Sequence, residues 1–151
     1  MRGISLFLEY LDDTEATRAA FDENGFFRTG DRVLVHDDGA IQFVDRIKDV
    51  IKVGGESVAA PEVERVIAAV PGVREAAVVA RRDRELGEVP VAFVHPHPSA
   101  AASDALIESV LAACRAQLAK FKVPREVVLV DDFPRVAIGK IAKAELRKRL
   151  A

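Results

Sequence analysis

Apolar residues along this chain gather in short runs, and the spacing inside each run predicts the element it forms. Ile4–Tyr10 is a short apolar run that reads as a strand. Asp13-Thr14-Glu15 offers an N-cap followed by an early acidic residue, so a short helix runs on through Ala20-Phe21. Asn24-Gly25 marks a turn. Arg32–His36 and Ala40–Val44 are strand-like and flank Asp37-Asp38-Gly39, which predicts a hairpin. Charge at Arg46-Ile47-Lys48-Asp49 breaks this pattern, Val50–Val53 resumes it as a strand, and Gly54-Gly55 ends that strand in a turn.

From Pro61 the period changes. Proline suits a first helical turn, Glu62 and Glu64 complement its positive end, and Val63, Val66, Ile67 and Val70 keep helical spacing up to the Pro71-Gly72 stop. Val73–Ala80 reads as a strand that the charged residues 81–85 extend, and Val89–His95 as the next strand after Gly87. Pro96–Ala102 is a loop, and Ser103-Asp104 starts a helix over 105–119 with an apolar stripe through Leu106, Val110, Cys114 and Leu118. Glu126–Val130 is a strand, and Lys143–Leu150 is a short basic helix. Strands and helices thus alternate without the repeated long crossovers of a doubly wound fold. The prediction is α+β: a small mixed sheet with helices packed on it. The first 45 or so residues carry little helix to cover their hairpin, which places a boundary near Arg46.

Composition narrows the function. The 151 residues suffice for a real core, and 50% hydrophobic with 30% charged is an ordinary globular mix. A net charge of −2 gives no nucleic-acid surface. No apolar run approaches the length of a membrane span, and no signal peptide opens the chain, so a cytoplasmic setting is the default. Cys114, the one cysteine, reads as a small buried residue. His95 and His97 lack acidic or cysteine neighbours at ligand spacing, so no metal site is expected.

One stretch carries candidate chemistry. In residues 134–143, Pro134 fixes the backbone, Gly139 frees it, and Lys140 stands at the tip of a loop. An ammonium on a long stem suits a phosphate or a carboxylate. By itself Gly-Lys is a weak motif, and on this stretch alone a solvated lysine in a basic tail is the favoured reading.

Several other stretches change that balance. Gly25-Phe26-Phe27-Arg28-Thr29-Gly30-Asp31 resembles the aromatic-Arg-Thr-Gly-Asp motif of the adenylate-forming (ANL) superfamily, which holds acyl-CoA synthetases, luciferases and adenylation domains of peptide synthetases. Asp45–Lys52 followed by Gly54-Gly55-Glu56 is similar to its hinge motif, and Pro134 to Arg147 to its final, lysine-bearing motif. Pro61-Glu62-Val63-Glu64, Pro71-Gly72-Val73, Gly87-Glu88 and Phe121-Lys122-Val123-Pro124 fit in order. Phe26, Val136 and Lys143 depart from it, standing where Trp, Thr and Arg are frequent. The family's phosphate loop and its Tyr-Gly-x-Thr-Glu motif do not occur in this chain.

The resemblance implies a domain plan: 1–45 the tail end of a large N-terminal adenylation domain, 46–48 a hinge, and 49–151 a mobile C-terminal domain. It implies ATP/AMP and coenzyme A as ligands, with Mg2+ accompanying ATP through the N-terminal domain. The partners implied are that domain and a carboxylic acid substrate, with no nucleic acid and no membrane span. It implies roles residue by residue. Lys140 is the adenylation lysine. Asp31 takes the ribose hydroxyls and Arg46 the nucleotide side. Lys48 is the hinge, and Gly54, Gly55 and Glu56 form the CoA-side loop. The activity implied is that of an acyl-CoA synthetase, which joins acid, ATP and CoA into acyl-CoA, AMP and pyrophosphate. Two alternatives stay open: an adenylation domain feeding a carrier protein or a luciferase-like enzyme, and a non-catalytic interaction module with the same fold.

Overall fold

In this computed structural model the described residues are 1–98 and 103–150, with Asp45 and Lys48 described by their backbone alone. The chain divides into two compact units, Met1–Lys48 and Asp49–Ala151.

In the first unit, helix α1 (Thr14–Ala20) starts at Asp13, whose Oδ1 accepts the Ala16 N–H at 2.8 Å. Strands β1 (Asp31–Val35) and β2 (Ile41–Arg46) pair antiparallel across the expected turn. Ile4–Tyr10 is not a strand, contrary to the reading of its apolar run. A strand needs a neighbouring ladder, and here the backbone bonds stay local. Leu6 donates to Gly3 O and Tyr10 to Thr17 Oγ1. Phe7 instead joins Tyr10, Phe21 and Phe27 in an aromatic cluster with ring centroids 4.8–5.7 Å apart, an arrangement favoured by edge-to-face packing. Ile4, Leu8, Leu11 and Ile41 stay exposed in this unit.

The second unit is the α+β sheet the sequence predicts. Its elements are β3 (Val50–Val53), β4 (Glu56–Ala59), α2 (Ala60–Ala68), β5 (Val73–Asp83), β6 (Gly87–Pro96), α3 (Asp104–Gln117), β7 (Glu126–Leu129) and α4 (Lys143–Lys148). The sheet order is β4-β3-β6-β5, with β7 joining β6 in parallel. Since β5 lines one whole edge of β6, β3 and β7 share the other: β3 meets it at Gly87 and β7 at Val91–Val94. The predicted loop over 96–102 lies in part outside the described residues.

Both faces of the β5–β6 pair are covered, which explains why β6 reads as a nearly continuous apolar run. Val78 and Val94 pack under α2 and α3 with Val63, Ile67 and Val110. Ala77, Val79, Val91 and Phe93 face the other way, against Phe133 and Leu146. The β5–β6 turn is closed by Asp83, whose Oδ1 accepts the N–H groups of Leu86 and Glu85 at 3.0 Å. Those donors hold its carboxyl below the ordinary carboxylate value, the Leu86 bond most of all. Phe93 is the largest side chain sealed between β6 and α4. Phe93→Ala is expected to cost about 3–5 kcal/mol. A fall in the urea midpoint of this chain by circular dichroism checks this, and an unchanged midpoint would contradict it.

Candidate functional site

The lysine loop is a small hairpin. Arg135 and Ile141 bridge antiparallel, Val136 N–H donates to Lys140 O at 2.9 Å, and Gly139 N–H donates to Val136 O at 2.8 Å. Gly139 has φ of 78°, the left-handed residue that a three-residue hairpin loop needs before the chain rejoins its ladder. Lys140 follows it directly and is exposed. Among the described residues its ammonium has no ion pair or hydrogen bond, so nothing competes for it.

The ends of this loop are tied to the sheet. Arg135 donates from Nη1 to Gly139 O at 3.1 Å and from Nη2 to Glu75 Oε2 at 2.6 Å. The bond to Glu75 raises the guanidinium further above its ordinary value. Lys143 pairs with Glu64 Oε1 at 2.7 Å. The same oxygen accepts the Val78 N–H at 2.7 Å. It thereby closes part of the outer edge of β5, a place where open backbone is otherwise a liability.

Gly54 and Gly55 form the two-residue turn between β3 and β4, with φ of 56° and 90°. The Gly54 N–H donates to Leu86 O at 2.8 Å, and a Cβ on Gly54 would stand 3.2 Å from Leu86 Cδ2. Glu56 follows, exposed at the start of β4. This turn therefore sits at the Asp83–Gly87 end of the β5–β6 pair, while the lysine loop is tied at Glu75. Eight residues of strand separate those two points, about 26 Å.

Asp31 and Arg46 come together in the first unit. They are cross-strand partners, and Arg46 Nε donates to Asp31 Oδ1 at 3.0 Å, with 47% and 25% of the side chains exposed. Among the described residues the other carboxylate oxygen has no partner and is left for another donor. The backbone of Lys48 lies in a 3-10 turn, Ile47–Asp49. Ile47 N–H is held by Gly30 O at 2.9 Å, and Asp49 Oδ1 by Arg147 Nη2 at 2.7 Å.

The model of the family described as AMP-binding enzyme C-terminal domain matches residues 62–140, more than half of the chain. The chain belongs to that family. A methyl-dioxo-octahydro-indenyl-propanoyl:CoA ligase of Mycobacterium tuberculosis is 45% identical over 98% of this chain and 29% of its own length. A long-chain-fatty-acid–CoA ligase of the same species is 41% identical over 95% of this chain and 28% of its own. ATP-bound MatB from Rhodopseudomonas palustris superposes with a TM-score of 0.86 at 36% identity, over 98% of this chain and 29% of MatB. The chain thus spans less than a third of the length of these relatives.

Within this AMP-binding C-terminal domain, sequence reasoning placed Lys140 and the glycine turn but passed over Glu75 and treated Glu64 only as a helix-start acid. A signal for Glu75 was present. It stands in phase with Ala77 and Val79 on the buried face of β5, and a charge at such a position requires a partner. Glu75, His95 and Asp132 also bring ligand atoms within 4.8 Å of one another. The Arg135 guanidinium occupies that cluster, bonded to Glu75 and 3.7 Å from Asp132. A cation already stands there, so these residues do not fit Mg2+.

Proposed function

We propose that this chain is the C-terminal part of an ATP-dependent acid–thiol ligase that makes acyl-CoA, AMP and pyrophosphate from a carboxylic acid, ATP and coenzyme A. The observation that carries the reading is the placement of two unlike loops at opposite ends of one β5–β6 pair. One presents a free ammonium, the other a bare glycine backbone. A ligase that works in two steps needs each at a different time. CoA ligases among the relatives support the reading, as does a structural neighbour, an anthranilate CoA ligase in complex with anthranoyl-AMP, at 34% identity and a TM-score of 0.84 over 95% of this chain and 28% of its own.

In the first step a carboxylate oxygen attacks the α-phosphorus of ATP. The new P–O bond forms as the bond to the β-phosphate oxygen breaks, and pyrophosphate leaves. Two anions must approach, and charge builds on the α-phosphoryl oxygens. The Lys140 ammonium between them offsets the repulsion and stabilises that charge. The free oxygen of Asp31 accepts from the ribose, while Arg46 holds the other oxygen and lies toward the nucleotide. In the second step the CoA sulfur attacks the acyl carbon and AMP leaves. Here the Gly54-Gly55 backbone, with no side chains in the way, lies along the pantetheine arm beside Glu56. Lys48 is the hinge that exchanges one loop for the other. The partner is a large N-terminal domain, of which residues 1–45 are the tail; its phosphate loop would bind ATP with Mg2+. No helix among the described residues is long and apolar enough to cross a membrane, and a cytoplasmic setting belongs to the proposal.

The full-length protein carrying this chain is the test. Screened over a panel of carboxylic acids, it should release pyrophosphate and AMP in an acid- and CoA-dependent way, and release with no acid in the panel would contradict the reading. The 151-residue chain alone should give no ATP–pyrophosphate exchange above its Lys140→Ala variant, because the phosphate-loop motif is not in it. Exchange above that background would place the catalytic site within this chain.

A further inference from the structure

At its base the lysine hairpin is anchored by Ile141, which packs against the Phe93–Phe133 cluster, but its tip has no such anchorage, since Val136 and Ile138 are exposed. Charge adds two further ties. At the leading end, one guanidinium spans Glu75 on β5 and the carbonyl of Gly139. That carbonyl belongs to the peptide group that carries the Lys140 nitrogen, so holding it orients the plane from which Lys140 departs. At the trailing end, Lys143 is held by Glu64, whose same oxygen is bonded to the Val78 N–H. Glu75 and Val78 lie three residues apart on β5, about 10 Å. The hairpin is therefore clasped at both ends to one short length of one strand, with Lys140 between the clasps.

We propose that Arg135 and Lys143, fixed by Glu75 and Glu64, are positioning residues that set where the Lys140 ammonium stands during adenylation. The proposal rests on the functional reading above. A flexible lysine reaches a phosphate from many places, but a transition state is stabilised from few. A misplacement of about 1 Å is enough to cost roughly 100-fold. Arginine suits the leading clasp because its planar fork meets a carboxylate and a carbonyl at once in fixed geometry. Lysine carries the same charge without the fork. Charge alone is therefore not the requirement, and Arg135→Lys separates the two.

The experiment uses the full-length protein and measures the two half-reactions separately for wild type, Arg135→Lys, Glu75→Gln and the double variant. Arg135→Lys should lower the rate of acyl-adenylate formation by roughly 10–100-fold with KM for ATP nearly unchanged. Thioester formation from supplied acyl-adenylate should stay near wild type. The double variant should be little worse than either single one, because both break one clasp. In the 151-residue chain, Arg135→Lys should speed amide exchange at Val136 and Ala142 and leave Val79 protected. Equal losses in both half-reactions, no loss in either, or unchanged exchange at Val136 and Ala142 would overturn this proposal alone. A wild type that makes no acyl-adenylate would overturn the functional reading and this proposal with it.

Discussion

Lys140→Ala in the full-length protein is expected to lower acyl-adenylate formation about 100–1000-fold, the usual loss when one preorganised donor to a developing oxyanion is removed. Thioester formation from supplied acyl-adenylate should be spared. The expectation follows from the placement of the residue. The ammonium stands exposed on a hairpin at the Glu75 end of β5, while the Gly54-Gly55 turn stands at the Asp83 end. With about 26 Å of strand between them, the proposal assigns the two loops to different moments of the reaction. Rapid-quench measurement of each half-reaction separates the cases. An equal loss in both would mean that Lys140 supports the fold or binds a group common to both steps.

Lys48→Pro is expected to split the half-reactions in another way. Ile47 is held by Gly30 within the first unit, and Asp49 is held by Arg147 within the second. A change in backbone angle between two anchored residues falls on the one between them, as hinges require. Proline fixes φ near −65° and narrows the residue before it as well, so a hinge at this position would lose one of the two settings the proposal assigns to it. One half-reaction should stay near wild type and the other should fall by about 100-fold or more. The second unit should keep its fold, because the turn lies outside both apolar clusters. Stopped-flow traces of each step check this. If both rates stay near wild type, the dihedral change is taken up elsewhere in Arg46–Asp49.

Much of the second unit was legible because period and punctuation agree there. Pro61 and Pro71-Gly72 bracket α2, and the spacing of Leu106, Val110 and Cys114 predicts α3 with its buried stripe. Strand β4 escaped notice. It has four residues and one deeply buried side chain, Val58, so no alternation builds up. The signal that would have found it is the Gly54-Gly55 pair itself, since two residues of positive φ demand a returning strand. Ile4–Tyr10 failed in the opposite sense. Its apolar run looked like a strand, but hydrophobicity specifies burial and cannot supply a ladder. The parallel pairing of β6 with β7 is likewise a long-range fact that no local pattern states. At the candidate site, Lys140 is local in sequence and was legible. Its clasps are not, because Glu64 and Glu75 stand 79 and 60 residues from the partners they hold, Lys143 and Arg135.

The central claim is that the protein carrying this chain activates a carboxylic acid as its adenylate and then passes the acyl group to coenzyme A. The direct test incubates the full-length protein with acid and ATP without CoA, quenches, and then repeats the incubation with a CoA chase. Acyl-adenylate and pyrophosphate are expected before the chase, and acyl-CoA with AMP after it. Release of ADP and phosphate, or an acyl-adenylate that the chase leaves unconsumed, would contradict it.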